Sequence, residues 1–177
     1  TLDGTLFPYT TLFRSVAHRL LPLLKPDDII WVHDYHLIPL AAELRAIGCR
    51  QRIGFFLHIP VPPPLILAAI PAHDWLMRAL FAYDLVGLQS QADLTHLSRY
   101  LVTEAHAEQI SDNRFGAFNR QLRADAFPIG IDVDEFAGLT MAEDAQAMLA
   151  NLREQYSHRQ ILVGVDRLDY SKGLPHR

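Results

Sequence analysis

The chain has 177 residues, half of them hydrophobic and a fifth charged, an ordinary globular composition that allows one domain or one domain and the beginning of another. A net charge of −4 excludes a general affinity for nucleic acid or anionic membrane, so any cationic site must be local. Cys49 stands alone, which excludes a disulfide framework and makes a reducing cytosol the default compartment, and no apolar run approaches the roughly 20 residues needed to cross a bilayer.

At the N-terminus, Thr5 to Ser15 (TLFPYTTLFRS) reads as an in-frame translation of a sequencing-adapter oligonucleotide, and residues 1–15 are expected to be an assembly artefact outside the fold. Beyond it, short apolar runs predict strands at Ile29–His33, Ile53–Leu57, Leu85–Leu88, Phe127–Ile131 and Ile161–Val165. Leu37, Leu40, Ala41, Leu44 and Ile47 recur at helical spacing, and Gly48 is placed to end that helix. Pro60, Pro62, Pro63 and Pro64 make a stiff loop after the second strand. Ser90 with Asp93 resembles a capping box opening a helix through Leu94, Leu97 and Leu101. Ser111 to Gln121 is polar and contains glycine, so it predicts a surface excursion or a small hairpin. Thr140 with Glu143 resembles a second capping box, ahead of Ala145, Met148, Leu149 and Leu152. Apolar strands alternating with helices predict an α/β fold, a doubly wound parallel sheet covered on both faces, with a domain boundary between Asp132 and Thr140.

Several predicted strands end in a polar residue: Asp34, His58, Gln89, Asp132 and Asp166. Ligands of open parallel sheets bind outside the carboxyl ends of the strands, so such residues converge on one crevice. His33-Asp34-Tyr35-His36 packs four hydrogen-bonding side chains into one turn. Its carboxylate could accept hydrogen bonds from sugar hydroxyls; a metal held by His33 and His36, or simple capping of the next helix by Asp34, are the other readings. His58 reads either as a ligand contact held by the proline-rich loop or as a satisfied core histidine. Arg167 and Lys172 lie five positions apart in the polar turn Asp166–Gly173. A planar fork and a compact point charge suit a diphosphate, where preorganised cations stabilise a leaving group; a surface salt bridge with Asp166 or Asp169 is the alternative. No G-x-G-x-x-G or P-loop pattern is present, so a nicotinamide enzyme or an NTPase is unsupported.

Five ordered motifs go further: Asp28–Leu37 (DIIWVHDYHL), Arg52–Pro60 (RIGFFLHIP), Tyr83–Gly87 (YDLVG), Pro128–Ile131 (PIGI) and Arg167–Gly173 (RLDYSKG). Together, from about Val16 to Arg177, they resemble the retaining glycosyltransferases of family 20, which make trehalose 6-phosphate from a nucleotide-activated glucose and glucose 6-phosphate. The resemblance implies the GT-B arrangement, two Rossmann-like domains with the active site in the cleft between them. Residues 16–139 would be an incomplete N-terminal, acceptor-side domain. Residues 140–177 would be a linker helix and the first strand of the nucleotide-sugar-binding domain. It further implies that Asp34 contacts the acceptor sugar, that His58 contacts the donor glucose, and that Arg167 and Lys172 hold the donor diphosphate and assist its departure. No cofactor and no catalytic metal are implied; protein cations take the place of Mg²⁺.

The implied substrates are UDP- or GDP-glucose and glucose 6-phosphate, in a cytoplasmic enzyme that is free to form a homo-oligomer. The alternatives are a sister enzyme that glucosylates glycerol 3-phosphate and a non-catalytic homologue that senses sugar phosphates. The chain departs from the family's pattern at Val61, Pro63 and Leu65, after His58-Ile59-Pro60. It is expected to be cut at both ends and inactive by itself, with the acceptor-phosphate grip upstream and most of the nucleotide pocket downstream.

Overall fold

The computed structural model describes residues 9–169 together with 172 and 173. Residues 1–8 of the expected artefact, Tyr170 and Ser171 of the cationic turn, and residues 174–177 lie outside the described residues. Two units divide the chain, Thr1–Ile129 and Gly130–Arg177.

In the first unit, helices α1 (Tyr9–Leu20), α2 (Leu40–Ala46), α3 (Pro64–Leu67), α4 (His73–Leu80) and α5 (Gln91–Thr103) accompany six strands. These are β1 (Ile29–His33), β2 (Arg52–Phe56), β3 (Leu85–Leu88), β4 (Glu108–Ser111), β5 (Arg114–Ala117) and β6 (Arg120–Ala126). The sheet order is β1-β2-β3-β6-β5-β4. The first four strands in that order are parallel, as helical crossovers demand, and β5 and β4 extend the sheet antiparallel. The fold is mixed α/β, as expected. The polar segment after residue 111 is the hairpin side of the two alternatives.

Register explains the core. Ile30 pairs with Ile53, Val32 with Phe55, Phe55 with Val86 and Val86 with Ala124, so one face carries an unbroken row of buried apolar side chains. Leu40, Ala41 and Leu44 of α2 and Leu94, Leu97 and Leu101 of α5 belong to the same buried cluster. On the opposite face the sheet is clad by its own aromatics. A Cβ on Gly54 would lie 2.3 Å from the Trp31 ring, so only glycine lets that ring lie flat over the strand. Helix α1 runs through the boundary drawn at residue 15, and Phe13 within it is buried.

Three expectations are corrected. The fourth parallel strand is Arg120–Ala126, not Phe127–Ile131. Phe127 still donates its N–H to the Leu88 carbonyl at 2.8 Å, but Pro128 has no N–H to continue the ladder. Ile161–Val165 forms no strand; Leu162, Val163 and Val165 are exposed, and among the described residues no neighbouring segment supplies a ladder. Thr140 is not the N-cap of the helix that follows it. In the second unit it closes α6 (Val133–Leu139), its hydroxyl donating to the Ala137 carbonyl, and α7 (Glu143–Gln155) starts behind Ala142 without a side-chain cap.

Helix α2 ends where Gly48 takes φ +93°, a left-handed conformation that glycine adopts without a Cβ clash. Just before it, Arg45 donates to the carbonyls of Ala82, Cys49 and Gln51 at 3.2, 3.0 and 2.8 Å and to Asp84 Oδ2 at 2.9 Å. Asp84 Oδ2 also accepts from the Ile53 N–H at 2.7 Å, so one guanidinium ties α2 to the starts of β2 and β3. Arg45→Ala would strand three carbonyls and a carboxylate. We expect a loss of about 3 kcal/mol in a denaturant titration, with Arg45→Lys recovering less than half because an ammonium cannot reach four acceptors in a plane.

Candidate active site

The carboxyl ends of β1 and β2 bring together the first pair of predicted residues. His33 is the last residue of β1 and is paired in register with Phe56, the last of β2. The next N–H, that of Asp34, still donates to the Phe56 carbonyl at 2.8 Å. There the chain turns sharply, and Asp34 takes φ +67° and ψ 163°, a region open to glycine and strained for every other residue. One carboxylate oxygen, Oδ1, accepts from the Tyr35 N–H at 3.0 Å and caps the single 3₁₀ turn Tyr35–Leu37. The capping reading of Asp34 is therefore correct as far as it goes. Its other oxygen has no partner among the described residues and remains free for a ligand hydroxyl.

Tyr83 fixes the far end of this turn. Its hydroxyl donates to the Leu37 carbonyl at 2.9 Å, and its ring packs on Phe55 at 5.1 Å. Burial pushes its phenol well above the ordinary tyrosine range, so it stays a neutral donor at any working pH.

His58 lies two residues beyond β2, and its ring meets two neighbours. Its Nε2 is 3.0 Å from His33 Nδ1, and the ring stands 4.8 Å from that of Phe56. His58 is exposed rather than a satisfied core residue, which removes one of its two readings. The Phe56 ring occupies the space over Gly87, where a Cβ would approach it to 2.7 Å. The metal reading of His33 and His36 finds no support in the geometry: His33 is paired with His58, whereas His36 stacks on Tyr35 at 3.8 Å. Among the described residues no group of three or more His, Cys, Asp or Glu is placed to hold a metal ion.

The loop after His58 is held from α5. Asp93 is buried; its Oδ1 accepts from the Val61 N–H at 2.8 Å, and its Oδ2 accepts from the Ser90 hydroxyl at 2.5 Å. His96 Nδ1 lies 2.8 Å from the Val61 carbonyl, which can only accept, so that nitrogen carries the proton. The predicted cap is present, with Ser90 accepting from the Asp93 N–H, but Asp93 looks outward to the loop rather than back to the Ser90 backbone. Of the departures from the family pattern, Val61 is buried and Leu65 is exposed.

The second pair of predicted residues shares one turn in the second unit. Asp166 Oδ1 accepts from the Arg167 N–H at 3.0 Å and lies 4.0 Å from Lys172 Nζ. The Lys172 N–H donates to the Asp169 carbonyl at 3.1 Å, closing the turn, and Gly173 takes φ +63°. The salt-bridge alternative is thus present for Lys172, but at the limit of reach and with the lysine side chain 37% exposed. Such a pair contributes about 0–1 kcal/mol and gives way readily to a doubly charged anion. Of the other strand-end residues, Asp132 caps α6 through the Glu135 N–H, and Gln89 reaches the Ile129 carbonyl at 3.5 Å.

The sequence profile of Glycosyltransferase family 20 matches residues 6–177. The chain belongs to glycosyltransferase family 20. A trehalose-6-phosphate synthase of Sinorhizobium fredii is 46% identical over 169 residues, covering 96% of this chain and 36% of that protein. A family 20 relative with the same name from Klebsiella pneumoniae is 41% identical over the same share of this chain and 35% of its own length. Among solved structures, an alpha,alpha-trehalose-phosphate synthase (UDP-forming) of Burkholderia xenovorans in complex with glucose-6-phosphate superposes with a TM-score of 0.82 at 45% identity, over 93% of this chain and 37% of that one. An E. coli structure bound with UDP-2-fluoro glucose gives 0.83 at 42% identity, over 94% of this chain and 37% of that one. This chain therefore spans about a third of the length of its family 20 relatives.

Two features of this candidate site were not legible in the sequence. The His33–His58 contact joins residues 25 apart, and the Asp93–Val61 contact joins residues 32 apart. The only available signal for the first was that His33 ends one strand and His58 closely follows the adjacent one, and spacing offers none for the second.

Proposed function

We propose that this chain carries the acceptor-side sugar contacts and the first donor-side cations of a trehalose-6-phosphate synthase, acting on UDP- or GDP-glucose and glucose 6-phosphate in the cytoplasm. The observation that carries this reading is the strained Asp34 with one free carboxylate oxygen, one residue from a histidine pair at the carboxyl edge of the sheet. A carboxylate there accepts hydrogen bonds from acceptor hydroxyls, and His58 offers a ring nitrogen to a hydroxyl of the donor glucose. Arg167 and Lys172 neutralise the departing diphosphate. The bond from the glucose anomeric carbon to the diphosphate oxygen breaks. The acceptor's anomeric oxygen bonds to that carbon on the same face, and the acceptor proton passes to the leaving oxygen. The products are α,α-trehalose 6-phosphate and the nucleoside diphosphate.

No step in this reading uses a metal, and EDTA is expected to leave turnover unchanged. The relatives named as trehalose-6-phosphate synthases, one in complex with glucose-6-phosphate, support the choice of acceptor.

The test is made on the whole protein. UDP release is followed with UDP-glucose and either glucose 6-phosphate or glycerol 3-phosphate. Release with glucose 6-phosphate alone is the expected result. Release with the glycerol acceptor alone would reassign the enzyme, and silence with both, repeated with GDP-glucose, would favour a sensor that binds without transferring.

A further inference from the structure

The contact between His33 and His58 joins a strand residue to a loop residue. His33 is anchored: it closes β1, pairs in register with Phe56, and is followed by the Asp34 N–H bonded to the Phe56 carbonyl. His58 is not anchored in that way. The last bond to β3 on its side is made by the Leu57 N–H to the Gly87 carbonyl at 3.0 Å, so His58 is the first residue of the loop that follows. A side chain on a loop holds a productive geometry only if something rigid fixes its rotamer. The strand residue His33 does this, with Nδ1 set 3.0 Å from His58 Nε2 and the rings 5.2 Å apart at 23°. Phe56, on the neighbouring strand, limits the ring from another side at 4.8 Å.

Between two imidazole nitrogens at this distance, one must donate and the other accept. Nε2 of His58 is committed by that bond, and Nδ1 is the ring atom left with no partner among the described residues. We propose that His33 is a positioning residue for glycosyl transfer, which acts by fixing the ring orientation of His58 so that Nδ1 of His58 faces the sugar. This rests on the reading of His58 as a sugar contact; His33 itself touches no reacting atom. The arrangement resembles the way a metal-bound histidine is oriented by the partner of its other nitrogen, whose loss typically costs about 10–100-fold.

Two measurements separate this proposal from the functional reading beneath it. The first needs no turnover. With ¹⁵N-histidine in this chain, long-range ¹H–¹⁵N spectra report which ring nitrogen of His58 is protonated, with His58→Ala identifying its signals. The native chain is expected to show the Nε2 resonance of His58 displaced from its free value by the hydrogen bond to His33. His33→Ala should move the His58 signals to the averaged values of a free imidazole, and His33→Asn, whose amide group occupies the place of Nδ1, should restore them. Unchanged His58 signals in His33→Ala would overturn the proposal.

The second measurement is a double-mutant cycle in the whole protein. His33→Ala is expected to lower kcat/KM for the nucleotide-glucose about 10-fold, with His33→Asn within about 3-fold of native. In a His58→Ala background, His33→Ala should have no further effect. Additive losses would mean that His33 acts independently of His58 and would overturn the positioning role. A fully active His58→Ala would instead sink the assignment of His58 as a sugar contact, while the spectra still decide the pairing.

Discussion

Arg167→Ala and Lys172→Ala, each made in the whole protein, are expected to lower turnover on the order of 100-fold or more, with the melting temperature nearly unchanged. The asymmetry between activity and stability follows from what these side chains touch. Arg167 is exposed, and the bond that shapes its turn is made by its backbone N–H to Asp166, which alanine keeps. Lys172 likewise closes the turn through its backbone, donating to the Asp169 carbonyl, and its ammonium reaches only a marginal ion pair with Asp166. Neither side chain makes a contact that the turn depends on.

On the proposed reading, a departing diphosphate would gain negative charge at the transition state, and the two cations carried by this turn would meet that charge. The loss should fall in kcat rather than in KM, because the interaction strengthens as the bond breaks. Arg167→Lys should not rescue, since a single ammonium cannot replace the bidentate fork. Turnover within threefold of native in both alanine variants would end the leaving-group assignment.

Asp34→Gly should move activity and stability in opposite directions. Asp34 occupies φ +67° and ψ 163°, which costs a non-glycine residue about 1–3 kcal/mol, whereas glycine enters that region freely. Against this gain stand the lost cap on the Tyr35 N–H, a few tenths of a kcal/mol when glycine replaces aspartate, and the greater unfolded-state entropy of glycine, about 0.5–1 kcal/mol. The balance is a stabilisation of about 1 kcal/mol, read as a rise of about 2–4 °C in this chain's melting temperature. In the whole protein the same change should abolish productive use of the acceptor while leaving slow hydrolysis of the nucleotide-glucose largely intact. Asp34→Asn, which keeps the strain and one acceptor oxygen, should be destabilised slightly and lose acceptor use only in part. Equal losses of transfer and hydrolysis would make Asp34 a structural residue, and a fall in melting temperature for Asp34→Gly would show that no strain is stored there.

Local patterns were legible wherever the residues that decide them are close in the chain. The strands at Ile29–His33 and Leu85–Leu88 lie where the apolar runs predict, and Gly48 ends its helix with the expected left-handed turn. The failures share one physical origin, the need of a strand for partners. Phe127–Ile131 is more apolar than Arg120–Ala126, yet the latter forms the strand, because Leu122 and Ala124 alternate inward while Gln121 and Arg123 face out between two neighbours. Ile161–Val165 has the composition of a strand and no described neighbour to bond with. Thr140 and Glu143 have the spacing of a capping box, but the preceding α6, which the sequence did not announce, claims Thr140 as its end. In the candidate site, the residue types at Asp34, His58, Arg167 and Lys172 were visible. The strain at Asp34 and the partner of His58 are properties of the folded backbone and of two strands meeting.

Val61 is flanked by Pro60 on one side and by Pro62, Pro63 and Pro64 on the other, and it is the only residue in that run with an N–H. That single N–H is the one Asp93 accepts, and the carbonyl of the same residue is the one His96 holds. The grip on the loop thus reads the main chain and is blind to the side chain at 61. Evolution can exchange valine there for another apolar residue of similar bulk, and rewrite the exposed position 65, without moving the loop. Proline, though apolar and of that size, is forbidden at 61 because it lacks the N–H, in a stretch where it is otherwise the favoured letter.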